Sequence, residues 1–201
     1  MSVSLGKIVK SNSHTDYICQ VYGRNEFDPA PGVENYALGT FVRIELEAGK
    51  AGALVGLIYD TVLLNPDFGR LGPRLSPETE LAMFTPDYLN ERAVLVGITA
   101  IGRVKANGDV FQGVPLLAAN SDAQVIQMTD DEIRAFHAYD GSLHLDYLPL
   151  LAHMDHPLAL HLGLIVLRKL GRLLPECATE LAVLSDDLLW RTQIGPLGGM
   201  Q

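Results

Sequence analysis

Short apolar bursts separated by turn residues run through the first two thirds of the chain. Leu5–Val9 and Tyr17–Tyr22 are short apolar bursts around a polar knot, Ser11-Asn12-Ser13-His14-Thr15-Asp16. This pattern predicts two strands and the turn between them. The stretch GRNEFDPAPGVENYALG, rich in Gly and Pro, follows as a loop. Thr40–Leu46 alternates cleanly. Gly52–Leu63 carries almost no charge and predicts a long strand, buried on both faces or kinked at Gly56. Gly49–Gly52 reads as the turn before it. Asn65–Pro77 is a second irregular excursion, and Pro86–Arg92 has the pattern of a short helix. Ala93–Gly102 is another strand, and Asn107-Gly108 is a strong hairpin signal because both residues tolerate positive φ. Val125–Met128 closes the series. Five to seven short strands without intervening helices predict a small antiparallel β-barrel over residues 1–128.

At residue 129 the period changes to that of a helix, and residues 129–201 predict a helical C-terminal module. Thr129-Asp130-Asp131-Glu132 is a capping box, followed by Ile133, Phe136 and His137 at helical spacing. Asp155 or His156, followed by Pro157, is the expected start of a second helix, PLALHLGLIVLRKLGRLL. It is apolar nearly all round, so either its own domain or a partner must cover it. Pro175 interrupts it, Glu180–Trp190 is a last amphipathic stretch, and Gly195–Gly199 is an expected frayed tail.

Composition narrows the function classes. Of the 201 residues 48% are hydrophobic, enough for a substantial core, and the net charge is −9. The 15 Lys and Arg residues are scattered, which disfavours direct nucleic-acid binding. The start, MSVSLGKIVKSNS, lacks the pattern of a secretory leader. The longest apolar run, Leu162–Leu167, is far short of the roughly 20 residues that span a bilayer. A soluble cytoplasmic protein away from membranes is the expectation. Cys19 and Cys177 are expected to be unpaired, Cys19 as a small buried hydrophobe.

Candidate chemistry is sparse. Gly49-Lys50 lacks both the upstream glycine and the following Ser or Thr of a phosphate-binding loop, and no G-x-G-x-x-G opens a helix. Five of the six histidines lie between His137 and His161. His153, Asp155 and His156, with His144 or His161, are the residue types of a metal-dependent hydrolase. Pro157 separates His156 from His161, however, and the spacing is not H-x-x-x-H; His156 is better placed to cap the second helix, and His161 to sit in a core or interface. Ser11, His14 and Asp16 have triad residue types, but sequence adjacency does not make a triad; a turn whose side chains bond the local backbone accounts for them. Tyr17, Tyr22, Phe41 and Tyr59 are candidates to line a ligand pocket or, as strand aromatics usually do, to form core.

Several stretches in order resemble a known family: Leu5-Gly6-Lys7-Ile8-Val9, Thr40–Leu46, Leu54-Val55-Gly56-Leu57-Ile58 with Asn65-Pro66, and Val114-Pro115-Leu116 through Ala123-Gln124-Val125-Ile126 before an acidic Asp-Asp-Glu helix. The pattern, over residues 3–137, resembles the HAS-barrel, the N-terminal barrel of HerA-type DNA-translocating ATPases, which is similar to the barrel of rotary ATP synthase subunits. The resemblance implies a barrel without chemistry of its own, which holds a ring of ATPase subunits together and docks a nuclease in DNA-end processing. After residue 140 the chain departs from that family: sixty mostly helical residues stand where Walker A and the motor would follow, so ATP hydrolysis is not implied.

These observations predict a non-enzymatic assembly protein without cofactor or bound metal. It would be a homo-oligomer or the partner of a separately encoded ATPase or nuclease. Its candidate interface is the apolar helix, through Leu158, Leu160, Leu162, Leu164 and Val166.

Overall fold

The computed structural model describes residues 2–24, 26–47, 51–64 and 93–194. The expected Asn65–Pro77 excursion, the Pro86–Arg92 helix, the first half of the Gly49–Gly52 turn and the Gly195–Gly199 tail lie outside the described residues.

The alternating segments form strands β1 (Ser4–Ser11), β2 (Asp16–Val21), β3 (Phe41–Glu45), β4 (Ala53–Leu64), β5 (Ala93–Val104), β6 (Val110–Gln112) and β7 (Gln124–Gln127). All pair antiparallel, in the order β2-β1-β7-β3-β4-β5, and β2 pairs with β5 to close a six-stranded barrel. Closure removes the free edges that an open sheet would expose. Beyond the start of β2, β6 continues along β5, with Val104 opposite Val110. The intervening turn contains Asn107 and Gly108, the latter at φ +90°.

Alternation sends each strand's side chains to two different places. Leu5, Ile8, Tyr17, Cys19, Val42, Ile44, Leu54, Ile58, Val96, Ile98 and Val125 fill the barrel interior. Tight pairing there leaves no room for a side chain at Gly6, where a Cβ would collide with the Gln20 carbonyl of β2. Between them on the same strands, Phe41, Val55, Leu57, Tyr59 and Ile101 point outward and are just as buried. This is why Gly52–Leu63 reads as charge-free: β4 is covered on both faces from Ala53 to Tyr59. Its register also shifts between Val55 and Gly56, so the kink expected at Gly56 is present as a bulge.

The cover on the outer face is the C-terminal third of the chain. It forms α1 (Asp130–His137), a two-residue hairpin β8–β9 (Ala138–Tyr139 and Ser142–Leu143), α2 (Leu148–Ala152), α3 (Ala159–Leu173) and α4 (Ala178–Ile194). In α1 the capping box is complete. Thr129 Oγ1 accepts from the Glu132 amide at 3.3 Å, and Glu132 Oε2 accepts from the Thr129 amide at 2.8 Å. Replacing Thr129 with alanine is expected to cost about 1 kcal/mol of stability. Equilibrium urea denaturation measures this, and an unchanged midpoint would mean the cap contributes nothing.

Helix α3 starts at Ala159, two residues beyond Pro157, and no side chain caps it. Its Leu162, Leu164, Val166, Leu167 and Leu170 share one hydrophobic cluster with the outward residues of β3, β4 and β5. At Gly39, φ is +79° and a Cβ would stand 2.5 Å from Ile165 Cγ2, so the helix lies directly against the backbone there. The change of period at residue 129 is therefore a boundary between element types within one continuous core. Helix α4 packs on α3 through Leu181 and Leu188, with Leu188 Cδ1 close to Gly163.

Two buried polar side chains join the layers. Gln112 of β6 donates to the Phe136 and His144 carbonyls at 2.8 and 3.1 Å and accepts from the Asp146 amide at 2.9 Å. His137, fully buried, has Nδ1 2.7 Å from the Ile133 carbonyl and Nε2 2.8 Å from the Tyr147 hydroxyl. A carbonyl only accepts, so Nδ1 carries the proton and Nε2 accepts from Tyr147. Its ring meets those of Phe41, Phe136 and Tyr147 at centroid distances of 5.2, 5.0 and 5.6 Å. Burial holds its pKa down at about 4.

Candidate functional site

The β1–β2 turn, the β3–β4 connection and the segment from β6 to β7 all lie at one end of the barrel, because β1, β3 and β5 run toward it and β2, β4 and β7 away from it. The polar knot organises this mouth. Ser13 Oγ accepts the Thr15 and Asp16 amides at 3.3 and 3.2 Å, and Asn12 donates to the Asp16 carboxylate at 3.0 Å. These bonds are the local turn expected from the residue types. The sequence does not reveal its long-range half. His14 Nε2 lies 2.7 Å from the Pro115 carbonyl, and the Tyr17 hydroxyl accepts the Ala119 amide at 3.2 Å while donating to the His14 carbonyl at 2.7 Å.

The segment 113–119 is thus clamped across the mouth from residues about a hundred positions earlier. It presents apolar side chains to solvent: Leu116 is 91% exposed, and Val114 and Leu117 are also exposed. Phe111, just before it, is exposed too. These exposed apolar groups stand on a backbone held in place by hydrogen bonds at Pro115 and Ala119.

Beside the knot is a cleft of about 280 Å³ lined by Thr15, Asp16, Tyr59, Thr99, Asp155 and His156, among others. Its polar groups are largely engaged with one another. The Tyr59 hydroxyl donates to Asp16 Oδ1 at 2.7 Å, and burial, followed by that hydrogen bond, pushes the phenol well above its ordinary pKa. The His156 ring stands edge-on to Tyr59 at 5.1 Å, its Nε2 is 3.7 Å from Asp60 Oδ2, and its Nδ1 accepts the Leu158 amide at 3.3 Å.

The other histidines do not join it as a ligand set. His153 is exposed and bonds the Pro149 carbonyl through Nδ1 at 2.8 Å. His144 stacks on Tyr139 with centroids 3.8 Å apart. His161 lies on the exposed side of α3, not in the core. Among the described residues no three His, Cys, Asp or Glu side chains are placed to hold a metal ion.

The apolar helix also stands differently from the sequence expectation. Leu162, Leu164 and Val166 are 0, 7 and 0% exposed in the chain's own core. Leu160 is partly buried against that core and Leu158 lies outside the helix, exposed. The barrel's outer face already occupies this helix, so Leu162, Leu164 and Val166 offer nothing to a partner of the folded chain. The four aromatics do not meet in one pocket either: Tyr17 faces the barrel interior, Phe41 and Tyr59 face outward, and Tyr22 stacks on Phe27 at 5.5 Å. Both cysteines are free, and burial pushes the Cys19 thiol up to about 12, leaving it inert at neutral pH.

A family model matches residues 1–198, nearly the whole chain. The protein belongs to the family described as Domain of unknown function (DUF8166). No curated protein matches it in sequence. As a DUF8166 member, it carries the barrel and its helical cover within a single family match. No helix among the described residues is long and apolar enough to cross a membrane.

Proposed function

We propose that this DUF8166 protein is a non-enzymatic assembly subunit: a barrel of the HAS type with a helical cover, which self-associates through its clamped mouth loop. In this role it supports a separately encoded motor ATPase or nuclease in DNA processing. The observation that carries the reading is the clamped loop, with Leu116 91% exposed while the loop's own backbone is tied at Pro115 and Ala119 by the side chains of His14 and Tyr17. A pre-ordered loop loses little conformational freedom on binding, so its apolar area converts efficiently into affinity. The closed six-stranded barrel is compatible with the HAS-type resemblance, and two free thiols suit a reducing cytoplasm. A net charge of −9 favours protein over nucleic acid as the contact.

Leu116→Asp is the discriminating variant. It alters no buried contact, so the melting temperature stays within about 2 °C of the wild type, as for most surface substitutions. The self-associated form is expected to be lost in size-exclusion chromatography with light scattering. An unchanged mass distribution in the variant would contradict the mouth loop as the contact.

A further inference from the structure

The barrel mouth bears charge as well as apolar surface, and most of that charge is already paired. Lys7 meets Asp122 at 3.6 Å and Lys105 meets Asp109 at 3.0 Å. The Asp16 carboxylate is taken by Asn12 and Tyr59. Two exposed side chains at this end have no ion-pair or hydrogen-bond partner among the described residues: Lys10, near the end of β1, and Glu47, just beyond β3.

Their placement follows from the sheet order. Strand β7 pairs with β1 on one side and with β3 on the other. The segment leading into β7 contains the mouth loop, so that loop has Lys10 on one flank and Glu47 on the other. Two strand spacings, about 10 Å, separate the flanks, too far for an ion pair within one chain. On the Glu47 side, a cleft of about 700 Å³ opens between Glu47, Leu46 and Ala51 and the loop residues Leu117 and Ala118.

Opposite charges on the two flanks of an apolar strip make the surface self-complementary. A two-fold axis through the strip sets each flank of one copy against the opposite flank of the other. Each copy then brings the charge that the other leaves unpaired, which a chain of single-signed charge does not. We propose that the mouth forms a closed two-fold dimer, with Lys10 of each copy paired to Glu47 of the partner subunit on either side of the packed Leu116 loops. The proposal rests on self-association through the mouth loop and adds its symmetry and its charged pairs.

The test is sedimentation equilibrium of full-length Lys10→Glu, Glu47→Lys and their equimolar mixture, at neutral pH and low salt. Lys10→Glu sets two carboxylates together at both symmetry-related contacts, and Glu47→Lys sets two ammonium groups together there. Each variant alone is expected to dimerise about tenfold more weakly than the wild type, as two exposed pairs turn from attraction to repulsion. In the mixture one copy supplies both acids and the other both cations, so the heterodimer forms about as tightly as the wild-type dimer. Whole-chain repulsion predicts the reverse for Glu47→Lys, because that substitution makes the net charge of −9 less negative. Glu47→Lys associating as tightly as the wild type, or a mixture no tighter than its components, overturns the charged pairing and leaves the mouth loop as the contact. A wild-type chain that is monomeric throughout overturns both.

Discussion

Val166→Asp is expected to unfold the protein at 37 °C. Val166 is fully buried in α3, within the cluster that contains Phe41, Val55, Leu57 and Ile101 from the outer face of the barrel. A carboxylate there is taken out of water into an apolar seam, which costs about 4 kcal/mol or more, a large share of the 5–15 kcal/mol that holds a typical domain together. Circular dichroism and denaturant titration measure the loss directly. If α3 were instead a docking helix, the same substitution would leave the barrel folded and remove only a partner. A Val166→Asp protein with wild-type spectra and midpoint would therefore contradict the placement of α3 as core.

Acidification is expected to weaken the fold through His137, by up to about 3 kcal/mol. The imidazole is fully buried, and burial lowers its pKa from 6.5 to about 4. Between these values the unfolded chain takes up a proton that the folded chain refuses. Stability from this group is thus fully present above pH 6.5, falls as the pH drops toward 4 and levels off below it. At about 1.4 kcal/mol per pH unit the full interval gives the figure above. Structurally, a proton on Nε2 removes the acceptor for the Tyr147 hydroxyl and puts a charge among Phe41, Phe136 and Tyr147. His137→Gln keeps hydrogen-bonding capacity without titrating in this range. Its unfolding free energy, measured at pH 7, 5.5 and 4, is expected to fall less steeply than that of the wild type. Equal slopes would show that His137 does not carry the acid sensitivity.

Much of the barrel was legible because its information is local. Short apolar bursts between turn residues mark β1 to β5 and β7, with clean alternation in β3, Asn107-Gly108 marks the β5–β6 turn, and Thr129 with Glu132 marks the start of α1. The short α2 and the two-residue strands β8 and β9 fall below any periodic signal and were not anticipated. Helix α3 shows where periodicity stops being informative: an apolar surface reads the same whether its cover is the same chain or another. The deciding clue lay elsewhere in the sequence, in the charge-free Gly52–Leu63 stretch. A strand buried on both faces of a barrel wall needs an outer cover, and α3 provides it.

The candidate site was only half legible for the same reason. The bonds among Asn12, Ser13, Thr15 and Asp16 follow from residue type and short spacing. The bonds from His14 to Pro115 and from Tyr17 to Ala119 span about a hundred residues and exist only once the barrel closes. The sequence carried one usable sign, the unbroken apolar run Val114-Pro115-Leu116-Leu117 in a segment with no strand pattern.

The most direct measurement is sedimentation equilibrium of the wild-type chain over a concentration series at neutral pH. An assembly subunit with a contact loop at its mouth is expected to show a discrete multimer that dissociates on dilution toward the 21.9 kDa protomer. A mass of 21.9 kDa at every concentration would contradict self-association through the loop, and with it the central claim.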